Sequence, residues 1–397
     1  MQLVERAHAW RGDAWLRSLN LNLYPPGATL LRTLQGHADS VGTVAMSADG
    51  RLALSGSTDR TLKVWDLENG RELRTLRGHA DSVETVAMSA DGRLALSGSY
   101  DSTVKVWDLE SGRELQTLRG HAGSVHAVAV SADGCRAVSG SHDRTLKVWD
   151  LEKGRELRTL RGHADIVVAV AMSADGRRAV SGSYDHTVKV WDLDSGREMR
   201  TLQARTVRAV ALSPDGCQAV FGDGEDLKLW DLESGQELRT LEGHAELVNA
   251  VALSADRRRV VSGSYDNTVK VWDLESGREM RTLKHHSLGV TAVALSSDRC
   301  RAVSGSHDRT LKVWDLGSGR QPGEIQGHAR QINAVAVSGN GDLAVSGDGS
   351  AGSPGDLKVW DNVSVISVID GNFFEIPDGG HGNGSAFFAV IDGDRDI

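Results

Sequence analysis

LRGHADSVETVAMSADGRLALSGSYDSTVKVWDLESGRE, running from Leu76 to Glu114, decides the fold of this chain. A Gly-His pair stands near its start and a Trp-Asp pair near its end. Four short strand-like runs lie along it. Val83–Ser89 is apolar and is followed by Asp91-Gly92, a pair expected to form a type I′ hairpin turn because both central residues then need positive φ. Leu94–Ser99 follows, then a polar turn at Tyr100–Ser102, then Thr103–Leu109. Ser111-Gly112 turns the chain again before Glu114–Leu118. None of these runs reaches helical length.

The pattern recurs. Eight of the ten tryptophans precede an aspartate: Trp65, Trp107, Trp149, Trp191, Trp230, Trp272, Trp314 and Trp360. A fixed period of this size signals stacked units, because four short strands cannot bury an apolar face alone. Gly-His, Ser-x-Asp-x-Thr and Trp-Asp at this spacing resemble the WD-repeat family over about residues 30–361. The likeness is greatest to the repeat-rich propellers of bacterial and cyanobacterial signalling proteins. It implies an all-β, eight-bladed β-propeller of four-stranded antiparallel blades around a channel. Seven blades plus one degenerate unit is the rival count. Leu31–Leu34 matches Leu73–Leu76 and is expected to supply the outer strand of the eighth blade, so that no sheet edge stays open. The expected domains are an N-terminal extension at 1–29, the propeller at 30–361 and a C-terminal extension at 362–397. Val4–Leu19 reads as a short amphipathic helix. Val363–Ile369 and Ala386–Ile391 read as a hairpin on the eighth blade or as competitors for its outer edge.

Composition narrows the function. A net charge of -9 argues against a nucleic-acid binder, which needs a basic stripe, and against a polybasic membrane anchor. No apolar run has the length of a membrane span. MQLVERAHAW lacks the layout of a signal peptide. Three cysteines suit a reducing compartment, so a cytoplasmic location is expected. Cys135, Cys217 and Cys300 occupy one slot of non-adjacent units, too far apart to pair. Asp392, Asp394 and Asp396 begin like a calcium loop, but the chain stops before a twelfth-position glutamate. His285-His286 is read as a repeat position and not a metal site. No cofactor and no metal are expected.

Each good unit carries a histidine, a serine, an aspartate and a tryptophan at fixed spacing, as in His79, Ser97, Asp101 and Trp107, or His163, Ser181, Asp185 and Trp191. The family resemblance implies that these form a hydrogen-bonded tetrad inside each blade. A Ser-His-Asp hydrolase is the competing idea, but six equivalent copies of one nucleophile make poor sense for catalysis, and the chain is read as no enzyme. Two units depart from the pattern. The fifth has no Gly-His, and Phe221 takes the serine position. In the eighth, the insertion Gly347–Gly355 interrupts the turn that should carry the aspartate.

Function is expected where the repeats differ. The residue before the tetrad aspartate varies as Thr58, Tyr100, His142, Tyr184, Tyr265 and His307. The residue after the first apolar position varies as Gly42, Glu84, His126, Val168, Arg208, Asn249, Thr291 and Asn333. In the resembling family these slots share one rim, the top face. The candidate partner-binding residues are therefore Tyr100, His142, Tyr184, Tyr265, His307, Glu84, His126, Arg208, Asn249 and Asn333. Tyrosine and arginine are frequent hot spots. The expected function is a protein-interaction scaffold or sensing module, monomeric, with a protein partner and neither nucleic acid nor membrane. The alternative is a small-ligand binder or enzyme at the channel mouth near units five and eight, where Asp223, Glu225, Asp226 and Asp348 gather acid. A purely structural ring is the third possibility.

Overall fold

The computed structural model describes residues 29–361, apart from 90, 285, 297–300, 317–323, 327, 329, 339–342 and 350–354, together with 373–375 and 388–390. The N-terminal helix reading, the Val363–Ile369 run, Cys300, His285 and the terminal aspartates lie outside the described residues.

The first unit shows the local logic. After β1 (Thr29–Gln35) come β2 (Val41–Met46), β3 (Leu52–Ser57), β4 (Thr61–Asp66) and β5 (Arg71–Arg77). β2 to β5 form a sheet in sequence order, and β1 belongs to another blade. β3 and β4 are buried almost throughout, while β5 alternates exposed and covered positions. This is the gradient expected when middle strands lie between neighbouring sheets and the outer strand faces water. The second unit repeats it with strands Val83–Met88, Leu94–Ser99, Thr103–Asp108 and Glu114–Arg119, each within one residue of the runs read from sequence.

The hairpin between the first two strands corrects the expected turn. At Asp49-Gly50 only the glycine is left-handed, at φ 72°, and the Gly50 N–H donates to the Ser47 carbonyl at 2.9 Å. That is a type I turn closed by a left-handed glycine, not a type I′ turn. Ser47 Oγ donates to Asp49 Oδ1 at 2.6 Å, and this fixed aspartate favours the tighter start.

Among the described residues there are eight four-stranded sheets and one two-stranded pair. Each first strand packs against the first strand of the next sheet, and Val41–Met46 also packs against Ile332–Val337, so the ring closes on itself. β1 pairs antiparallel with Asp356–Asp361 and completes the last sheet, with Thr33 opposite Lys358 and Gln35 opposite Asp356. The chain's start thus covers the edge its final repeat would leave open. Phe373–Glu375 pairs with Phe388–Val390 in the two-stranded sheet.

The core consists of apolar layers between blades, not a single centre. Leu54, Leu62, Val64, Leu76, Val83, Ala95, Trp107 and Leu109 form one such layer between the first and second blades. Its thickness is set by the glycine of each Ser-Gly-Ser. A Cβ on Gly182 would sit 2.4 Å from Val207 Cγ1 of the next blade, closer than carbon atoms approach.

Candidate binding face

Antiparallel connection puts two sets of turns on the same face. One joins the second and third strands and carries the tetrad aspartate. The other runs from each outer strand to the next first strand. Every variable position named from sequence belongs to this face or to the channel mouth beneath it.

The tetrads anchor it. His79 Nδ1 lies 2.8 Å from Asp101 Oδ2, and Nε2 lies 2.7 Å from Ser97 Oγ. Trp107 Nε1 donates to Ser97 Oγ at 2.8 Å. His163, Ser181, Asp185 and Trp191 repeat the set at 2.8 Å throughout. The chains headed by His37, His121, His244 and His286 have the same His–Asp and His–Ser contacts. Asp101 also accepts the Ala80 N–H and the Thr103 hydroxyl. Burial opposes ionisation there, but the bonds from His79 and Thr103 prevail and hold its pKa well below the usual carboxylate range. Ser97 has no exposed surface, and its oxygen is shared between two ring nitrogens. The constellation braces the turn next to it and presents no open nucleophile.

The two departing units are repaired differently. In the eighth, Asp348 takes the aspartate's part from a position two residues after Ser346. His328 Nδ1 is 2.8 Å from Asp348 Oδ2, His328 Nε2 is 2.6 Å from Ser346 Oγ, and Trp360 donates to Ser346. The insertion therefore does not remove the tetrad carboxylate, contrary to the sequence expectation. In the fifth, Phe221 is fully buried in the serine position and Trp230 Nε1 is buried without a partner. Arg205 takes over the bracing. It bonds Asp226 and lies 2.8 Å from Glu225, while its backbone N–H and Lys228 both reach Asp223.

These pairings correct the acidic-mouth idea. Asp223 and Asp348 are buried at 3% and 1% exposure, and Glu225 and Asp226 are both paired with Arg205. They are structural acids, not a free cluster. A groove of about 420 Å³ lies on the opposite face between the fifth and sixth blades, lined by Leu238, Arg257 and Glu275 among others. Among the described residues no group of three or more histidine, cysteine, aspartate or glutamate side chains could hold a metal.

The channel-mouth slot has a device that sequence reasoning missed. In seven sheets the register slips by one residue between the first and third positions of the first strand, as between Val41 and Thr43 or Val83 and Thr85. A β-bulge re-aims the residue it leaves unpaired. That residue is the variable one: Gly42, Glu84, His126, Val168, Asn249, Thr291 and Asn333. Three of them staple blades together. Asn249 donates to the Val290 carbonyl at 3.0 Å, Thr291 to Ile332 at 2.6 Å and Asn333 to Val41 at 3.0 Å. Asn249 and Asn333, named as partner-binding candidates, thus commit their amide donors to the ring.

The other candidates form two arcs. On one side Tyr100 meets His126 edge-on with centroids 5.7 Å apart, and His126 lies 6.0 Å from His142. On the other, the Arg208 guanidinium lies 5.4 Å from the Tyr265 ring centre. Tyr265 stacks on His307 at 6.1 Å and 9°, and His307 Nδ1 is 2.7 Å from Gln331 Oε1. Tyr184 stands on the fourth blade between the arcs. Tyr100, Tyr184 and Tyr265 are 45%, 45% and 37% exposed.

A family model described as WD domain, G-beta repeat matches residues 28–66, 70–108, 112–150, 154–192, 235–273, 277–315 and 319–361. The chain belongs to the WD40 repeat family. Seven repeats are recognised, the rival count weighed above, and residues 193–234 are passed over. That stretch holds most of the fifth unit, whose Gly-His and serine are gone, yet the unit forms a four-stranded sheet. Recognisable repeats and sheets therefore differ by one. Single WD40 repeats resemble those of curated relatives. Vegetative incompatibility protein HET-E-1 of Podospora anserina is 54% identical over 39 residues, 10% of this chain and 3% of that protein. Small ribosomal subunit protein RACK1 of Caenorhabditis elegans is 52% identical over 40 residues, 10% of this chain and 12% of that one. The matches thus span a small part of either relative. The crystal structure of the computationally designed Ika8 protein superposes with a TM-score of 0.74 at 35% identity, over 84% of this chain and 99% of that one. WD40 propellers are generally non-enzymatic scaffolds that bind protein partners.

Proposed function

We propose that this WD40 propeller is a protein-interaction platform and that its partner docks on the face carrying the tetrad turns. One observation carries the proposal. Tyr100, Tyr184 and Tyr265 stand exposed at equivalent turns of the second, fourth and sixth blades, while the buried positions beside them scarcely vary. An exposed tyrosine on a braced turn offers large, rigid, amphipathic area at low entropy cost. The turn is braced because the aspartate after each tyrosine is held by histidine, threonine and backbone. The acids near units five and eight are paired, which removes the support for a small-ligand or catalytic site there.

Affinity capture from the native lysate tests this, comparing wild type with a variant carrying Tyr100→Ala, Tyr184→Ala and Tyr265→Ala. Binding of the captured protein is then measured with purified components. The variant is expected to keep its unfolding midpoint and to lose at least about tenfold in affinity. Equal affinity for a folded variant would place the contact elsewhere on the ring.

A further inference from the structure

The two arcs of the binding face are related by half a turn of the ring. Blades one to three correspond to blades five to seven. Tyr100 corresponds to Tyr265, His142 to His307, and Gly42 to Arg208. In the second half the chain lays its own guanidinium over the tyrosine. In the first half Gly42 places no side chain there. A Cβ added to Gly42 would meet only the Val83 carbonyl oxygen, at 3.9 Å, so the space is open. Two further differences favour a cation. Glu84 stands where the other half has Asn249. It is half-buried, and among the described residues no hydrogen bond or ion pair reaches its carboxylate. Its charge is felt at the Tyr100 hydroxyl, whose pKa it raises. On the next blade, His126 Nε2 is buried with no hydrogen-bond partner.

We propose that Gly42, Glu84, Tyr100 and His126 form a site for a guanidinium side chain presented by the protein partner. A half-buried carboxylate without a counter-ion costs free energy that a paired one does not. Glu84 offers acceptors, with His126 beside Tyr100 as a wall of the site, and a guanidinium brings five donors in a planar fork. Tyr100 supplies the ring face on which such a cation rests. The arrangement mirrors Arg208 on Tyr265, with a carboxylate added to hold a group not tethered to the chain. Burial, and then the Asp81 carboxylate, raise the pKa of Glu84, which fits a carboxylate lacking its cation.

The site rests on the docking reading above, and the experiment separates the two. The full chain is titrated with N-acetylarginine amide and with N-acetylcitrulline amide, its neutral isostere, followed by saturation-transfer NMR. The arginine compound is expected to bind about tenfold more tightly. Glu84→Gln should abolish the preference. Gly42→Arg should block binding by supplying a guanidinium from within, and its unfolding midpoint reports that it folds. Equal binding of the two compounds, no binding of either, or a preference that survives either substitution overturns the proposal. If a partner is lost with the triple tyrosine variant but kept by Glu84→Gln, the docking face stands and the guanidinium site fails. If the arginine preference behaves as expected while no captured protein depends on the tyrosines, the site stands and the docking face fails.

Discussion

Replacing Ser181 with alanine asks how much one tetrad stabilises one blade. Ser181 Oγ is 2.8 Å from Trp191 Nε1 and 2.8 Å from His163 Nε2, and Ser181 has no exposed surface. Alanine adds no bulk and leaves two buried ring nitrogens without their partner. Each such group costs about 1–3 kcal/mol. The lost hydroxyl no longer needs desolvating, so the net expectation is about 2–4 kcal/mol. Urea unfolding followed by circular dichroism measures the total. Hydrogen exchange should show the loss of protection concentrated in the fourth blade and its neighbours, since stability in a stacked array is shared between adjacent units. A cycle with Trp191→Phe isolates the cause, because phenylalanine removes the N–H that alanine leaves stranded. The double variant should cost less than the sum of the single ones by about 1 kcal/mol. A cost for Ser181→Ala under about 0.5 kcal/mol, or strict additivity, would refute the claim that the tetrad braces the blade.

Three further outcomes follow from the same geometry. Gly182→Ala forces a methyl to within 2.4 Å of Val207 and should cost about 1–3 kcal/mol by thermal unfolding. Arg257→Gly should stabilise by about 0.5–1 kcal/mol, because Arg257 is left-handed at φ 61° where the sequence of six other units has glycine; its 2.7 Å bridge to Asp215 joins two largely exposed groups and is worth little. Stability should also fall in acid, in two stages. Burial lowers the pKa of His163 and His328, so their neutral forms stabilise the fold above the unfolded value, and that contribution fades as pH falls below about 6.5. The tetrad aspartates are depressed, so their contribution is complete above about pH 4 and is lost as pH falls through their native values. Unfolding midpoints from pH 7 down to about pH 2 should show both stages, and a flat profile would contradict the pairing.

Much of this was legible in the chain. The repeat, the four strands per unit, the closing segment and the members of the regular tetrads all lie in local pattern or fixed spacing. What was missed depends on register. Asp348 replaces the usual aspartate from a place two residues closer to its serine, and fixed spacing looks past it. Asp223 stands at the equivalent place in the fifth unit, so the shared Gly-Asp-Gly of Gly222–Gly224 and Gly347–Gly349 was the available signal. The hairpin type was misjudged because Asp-Gly alone does not count the residues before it; the Ser47 carbonyl does. The stapling roles of Asn249 and Asn333 depend on a bulge and on a carbonyl of the next blade, and neither is written in a single unit.

The rim also has an order that ties it to the core. Thr58, His142 and His307 lie on odd-numbered blades, and each begins a run ending in Asp-Arg-Thr-Leu; Tyr100, Tyr184 and Tyr265 lie on even-numbered blades, and each begins Tyr-Asp-x-Thr-Val. The last residue of each run points into the layers between blades, where Leu62, Val104, Leu146 and Val188 are buried. Close-packed layers register a difference of one methylene, so large and small blades fit best in alternation, and a two-blade period in the core carries a two-blade period onto the rim. Taken alone, that order would give a face with four equivalent orientations. The fifth blade breaks it with Arg205 and its acids, and the eighth with Asp348 and the inserted turn. The rim therefore has one distinguishable orientation, because the two irregular blades remove the symmetry of the other six.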